Sequence, residues 1–146
     1  MSEHTHGTEH VIKRFHPHRL TFFIFYFMGA IFLVIGLWYF RPLIWAGLLI
    51  AALGEVSRLS ETFYILDTGV AREYRLFSTS RKFAEYEKLQ NIEVNQSMFE
   101  NIFGIGTVMF DTAGGHHMEI RFYGAENPYQ IEKIVREKMS NNVPHV

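Results

Sequence analysis

LTFFIFYFMGAIFLVIGLWYF, Leu20 to Phe40, is a run of 21 residues without a formal charge. As a helix rising roughly 1.5 Å per residue it is about 31 Å long, the thickness of a bilayer's hydrocarbon core. A soluble core helix keeps a polar face and rarely runs so far without one. The run is predicted to span a membrane.

Just beyond it, after Arg41-Pro42, a second uncharged stretch begins, PLIWAGLLIAALG, Pro42 to Gly54, of 13 residues. Crossing a bilayer takes roughly 20 residues. The return helix must therefore carry Glu55, Ser57, Arg58 and Ser60 in its last turns. Trp38 and Trp45, the two Trp of the chain, flank the Arg41-Pro42 turn with Tyr39 and Phe40, as an aromatic belt does at a membrane interface. Gly47 and Ala51 make a small-xxx-small step that lets helices approach closely. A two-helix hairpin is predicted, about 20–40 and 42–59. Glu55 and Arg58 share a helix face and read either as an intramembrane polar site or as interfacial residues whose charged ends reach water.

On the other side, residues 1–19 hold five of the eight His with few aliphatic side chains. They read as a flexible tail. No small-residue cleavage site ends the apolar run, so a secretory signal peptide is not the reading. Lys13, Arg14 and Arg19 precede the first span and only Arg41 lies in the connection, so the positive-inside rule puts both flanks of the hairpin in the cytoplasm. The expected location is the plasma membrane, multi-pass, with both termini cytoplasmic.

The chain's mean hydropathy of zero hides this division. Charge does too. Of 14 basic and 15 acidic residues, nine basic and twelve acidic fall in Ser60–Val146, leaving that part at −3. A nucleic-acid partner, which calls for a basic face, is not expected. With no Cys in the chain, disulfides, thiolate metal sites and Cys nucleophiles are excluded.

From Thr62 the hydrophobic period becomes two. TFYIL (62–66), AREYRLFS (71–78), RKFAEYE (81–87), IEVNQ (92–96), GTVMFDT (106–112) and HMEIRFY (117–123) are separated by turn signals such as Asp67-Thr68-Gly69 and Ala113-Gly114-Gly115. An antiparallel sheet with one buried face is predicted. Asn127-Pro128 opens a helix, 128–139, with Gln130 placed to complete a capping box, and Ile131, Ile134, Val135 and Met139 on one stripe. The predicted domain, 60–140, is a small β-barrel or sandwich closed by that helix, with 141–146 as a tail. SMFENIF, Ser97–Phe103, reads as a helical turn that plugs one barrel end. Gly104 and Gly106 then serve left-handed backbone or close approach.

Tyr64-Ile65-Leu66-Asp67 with its turn, then NQSMFENIFGIGTVMFDTAGG (Asn95–Gly115), then the Asn-Pro-capped helix, all after a hydrophobic helix pair, resemble the membrane-flanked bacterial pleckstrin-homology-like domain of type 2 over about 20–140. The motif positions that carry the resemblance, read as structural, are Gln96, Ser97, Gly104, Gly106, Thr107, Thr112, Ala113 and Gly114. At Asp67-Thr68-Gly69-Val70 the chain departs from the glycine and basic start that members often show after the first hairpin strand. The resemblance implies a PH-like split barrel with a C-terminal capping helix, anchored at the inner leaflet, with no established enzymatic activity.

Other motifs lack the companions their chemistry demands. Asp111-Thr112-Ala113-Gly114 is similar to a GTPase element, but no Gly-x-x-x-x-Gly-Lys-Ser/Thr loop accompanies it. Ser78, Ser80 and Ser97 have no His partner visible in sequence. Adjacent His116 and His117 point to opposite faces of a strand, and the tail's His4, His6, His10, His16 and His18 are loose chelators at best. No enzyme, metal site or cofactor is expected. The expected role is a membrane-anchored, non-enzymatic module for a protein or peptide partner, a second copy of the chain being one such class, with strand addition at an open edge as the mode. Two alternatives stand beside it. One is an inner-leaflet headgroup receptor using Arg72, Arg75, Arg81 and Lys82, although Arg72 and Arg75 differ in strand parity. The other is a metal or pH sensor in the His tail.

Overall fold

A computed structural model describes residues 10–113 and 120–142. His4, His6, Gly114, His116 and His117 lie outside them. The chain runs β1 (Val11–Phe15), a 3-10 turn (Arg19–Phe22), α1 (Phe23–Trp38), α2 (Pro42–Ser60), β2 (Glu61–Leu66), β3 (Gly69–Arg75), β4 (Thr79–Glu85), β5 (Leu89–Asn95), α3 (Met98–Phe103), β6 (Ile105–Thr112), β7 (Ile120–Glu126) and α4 (Pro128–Asn142).

Arg19–Trp38 and Pro42–Ser60 are long and apolar enough to cross a membrane, and only 11% and 17% of their apolar windows are buried within the chain. The two helices pack through glycines set seven apart on each. A Cβ on Gly29 would stand 2.9 Å from Gly47 O, on Gly47 2.7 Å from Gly29 O, on Gly36 2.8 Å from Ile44 N, and on Gly54 2.7 Å from Phe25 Cβ. A seven-residue repeat keeps one seam facing its partner, and small residues along it bring the backbones together.

Two antiparallel sheets follow, in the orders β1-β2-β3-β4 and β5-β6-β7. Alternation buries Phe63 and Ile65 of β2, Val108 and Phe110 of β6, and Ile120 and Phe122 of β7. The sheets meet through rings: Phe63 stacks on Phe122 at 4.8 Å, and Phe110 meets Phe122 edge-on at 4.9 Å. Ile131 and Val135 of α4 seal this core. Tyr86, buried after β4, donates its hydroxyl to Leu66 O at 2.6 Å. Burial, and then the charge of Asp67, push its pKa up to about 12.

Four expectations change. Residues 1–19 are not all tail, because Val11–Phe15 pair with β2, Phe15 lying opposite Phe63 and within 5.4 Å of its ring. The last helix runs to Asn142, so the expected 141–146 tail begins with helical residues. Asn127 has φ 49 rather than the extended N-cap conformation. The capping box belongs instead to α3, where the Ser97 side chain accepts from Glu100 N and Glu100 accepts from Ser97 N. Lastly, α3 plugs nothing: Met98, Phe99, Ile102 and Phe103 are all exposed. Gln96 and Pro128 crowd Gly106 instead, their Cγ atoms 2.6 and 3.0 Å from where its Cβ would lie.

Candidate functional site

The β-domain has two ends. The near end is where the helical hairpin joins it, and the far end carries the Asp67-Thr68 turn and the last turn of α4.

At the near end α2 passes into β2 without a linker, Ser60 being helical and Glu61 already paired with Tyr74. The start of the first helix is fixed to the other sheet. His18 N donates to Gly124 O at 2.8 Å, and Gly124, at φ 55, leaves the space that Thr21 occupies, where a Cβ would overlap Thr21 Oγ1. His16 Nδ1 lies 2.7 Å from Glu61 O. His18 Nδ1 accepts from Leu20 N. These two His are committed to the junction, and among the described residues no three His, Asp or Glu converge as a metal site.

Glu55 and Arg58 do pair, Arg58 Nη2 to Glu55 Oε1 at 2.6 Å. Sequence reasoning missed the rest of the cluster: Tyr26 donates to Glu55 Oε2 at 2.5 Å and Arg19 approaches Oε1 at 3.7 Å. A Tyr inside an apolar run, three residues before Gly29 on the packing face, was the available signal.

The four basic candidates gather on one hairpin, with Arg72 opposite Lys82, Glu73 opposite Arg81 and Arg75 opposite Thr79. They do not form one cationic patch. Arg72 binds Glu61 at 2.5 Å and lies over the Tyr123 ring at 5.0 Å, its Nε buried. Arg75 pairs with Glu73. Arg81 and Lys82 belong to Thr79–Lys82, the exposed first part of β4. β4 ends its sheet, so beyond β3 no strand pairs with it among the described residues.

The motif string starts at the same end and runs along β6 to the far one. Gln96 Nε2 donates to Ile105 O at 2.6 Å. Ser97 caps α3, and Gly104, at φ 67, terminates it in the left-handed conformation. At Gly106 a Cβ would lie 2.6 Å from Gln96 Cγ and 3.0 Å from Asn95 O, so one glycine serves backbone conformation and the other close approach. Thr107 faces Asn95 and Thr112 faces Leu89 across β5–β6, and Ala113 N donates to Lys88 O at 2.9 Å. These contacts hold backbone together and present no nucleophile with a base.

Compared with known families, the chain matches the bacterial PH domain over residues 19–139. No curated protein and no solved structure matches it.

Proposed function

We propose that this chain, which belongs to the bacterial PH domain family, is a non-enzymatic binding module held at the cytoplasmic face of the plasma membrane by a two-span hairpin, and that it receives a protein or peptide along β4. PH-like domains are in general binding modules rather than enzymes. The anchor is supported by the largely unburied apolar surface of α1 and α2, which a bilayer covers and water does not. The binding mode rests on one observation, the exposed Thr79–Lys82 edge. An unpaired edge offers a row of backbone donors and acceptors to an extended segment. Lys82, exposed on that edge, adds a cation that favours an acidic segment. Tethering raises local concentration, so a modest affinity suffices.

The headgroup reading is weaker on this geometry, since Glu61 and Glu73 already occupy Arg72 and Arg75. The two are separated with the full chain, because β1 is part of the sheet and residues 60–146 alone would lose a strand. A photo-crosslinking side chain at Ser80 is expected to trap a protein in cells, with Ser140 on α4 as the control. Crosslinks to lipid alone, abolished by Arg81→Glu with Lys82→Glu, would replace this reading with the headgroup one.

A further inference from the structure

After residue 60, the described large apolar side chains left exposed are Leu76, Phe77, Met98, Phe99, Ile102, Phe103 and Tyr129. All lie at the near end. Leu76 and Phe77 form the β3–β4 turn. Because Tyr74 is opposite Glu61, the residue that follows α2 directly, this turn projects two to three residues beyond the point where α2 joins the sheet. At about 3.3 Å per residue the projection is about 7–10 Å. Phe77 is 99% exposed there.

α3 reaches the same level from the other sheet. It joins the end of β5 to the start of β6, whose Ile105 faces Glu126 at the end of β7, two residues from the Gly124 that holds Thr21. A cleft of about 510 Å³ separates it from the start of the first helix, lined by Leu20, Phe23, Phe99, Glu100, Phe103 and Ile105. None of α3's residues is buried, and Met98 is 85% exposed. The Ser97–Glu100 capping box and the left-handed Gly104 keep this short segment helical although none of its side chains is buried. The far end contrasts with this: Asp67, Thr68, Glu85, Glu87 and Asn142 line its cleft.

We infer that the β3–β4 turn and α3 are two apolar feet that dip into the interfacial region of the cytoplasmic leaflet on either side of the hairpin, so that the β-domain lies on the bilayer with its near end down. This rests on the reading of α1 and α2 as membrane spans. One planar apolar phase covers both feet at once, because each is level with a helix end that already enters it. Amphipathic, aromatic-rich segments at the boundary between acyl chains and headgroups are suited to that depth. The hairpin fixes the domain's position, and the feet fix its tilt.

The full chain in lipid vesicles tests this, since single Cys labels can be introduced into a chain with no native Cys. Labels at Phe77→Cys and Ile102→Cys report the feet, Glu87→Cys the far end, and Val34→Cys the middle of α1. Quenching by lipids spin-labelled near the headgroup is expected to be about threefold or more stronger at 77 and 102 than at 87, with 34 answering to deep labels. If 34 is quenched and 77 and 102 behave like 87, the feet are wrong and the spans stand. If 77 and 102 are shielded from water but not quenched by lipid, a protein or a second copy covers them and the inference fails. If 34 is not quenched by deep labels, the spans themselves are wrong and the feet fall with them.

Discussion

The near and far ends of the β-domain are made by the same strands yet have opposite surfaces. At one end Phe77, Met98, Phe99 and Ile102 stand exposed beside the hairpin, and at the other Asp67, Glu85 and Glu87 ring a polar cleft tied by Lys138 to Asp67 at 3.2 Å. An average over the domain, −3 and half polar, conceals this polarity. The exposed apolar groups contribute nothing visible to the core, and their concentration at one end is what the inferred contact with the leaflet would account for.

Both ends fail together if the shared core goes. Phe122 touches Phe15, Phe63 and Phe110. Phe122→Ala is expected to cost about 3–5 kcal/mol and to unfold both ends together, read as one cooperative denaturant transition at lower midpoint. Gly124→Val attacks the near end alone. Its Cβ would overlap Thr21 Oγ1 at a backbone of φ 55, so a cost of about 1–3 kcal/mol is expected, seen as faster proteolysis between His16 and Thr21 while the sheets persist.

A smaller effect sharpens the far end. Tyr86→Phe removes the hydroxyl bond to Leu66 O and is expected to cost about 1 kcal/mol. Because burial raises the Tyr86 pKa from 10.0 to about 12, the neutral hydroxyl is favoured by folding; its contribution is complete below pH 10.0 and is lost as pH rises through about 12. The Phe variant should lack that alkaline loss in a pH series of thermal unfolding. Smallest is a pair of surface changes: Asp67→Asn, which removes a pair exposed to solvent, and Phe77→Ser are each expected within about 0.5 kcal/mol of the parent. A large loss for Phe77→Ser would mean that it packs against protein.

Much of this was legible in sequence because the signals were strong and periodic. The uncharged run at Leu20–Phe40 became α1, and alternation at Val108, Phe110, Ile120 and Phe122 became two inward faces. β1 was hidden because VIKRF sits in a His-rich, polar stretch and is an edge strand with Val11 and Ile12 exposed, so it shows no clean alternation. Helical spacing in α3 suggests a plug because it reports a shared face but not what lies opposite, and the side chains are in fact exposed. The glycines at 29, 36, 47 and 54 stand at seven-residue spacing on each helix, a pattern that the small-xxx-small step of Gly47 and Ala51 captures only in part. At the near end, Arg72, Arg75, Arg81 and Lys82 lie on neighbouring strands, but the carboxylates that meet Arg72 and Arg75 depend on register, which sequence does not supply.

A near end and a far end have these roles only if a hairpin holds the domain at the inner face of a membrane. Single Cys variants Arg41→Cys and Ser140→Cys, labelled in intact cells with a membrane-impermeant maleimide, test this most directly. Position 41 should label from outside and position 140 only after permeabilisation, whereas labelling of 140 from outside, or of neither position before lysis, would contradict it.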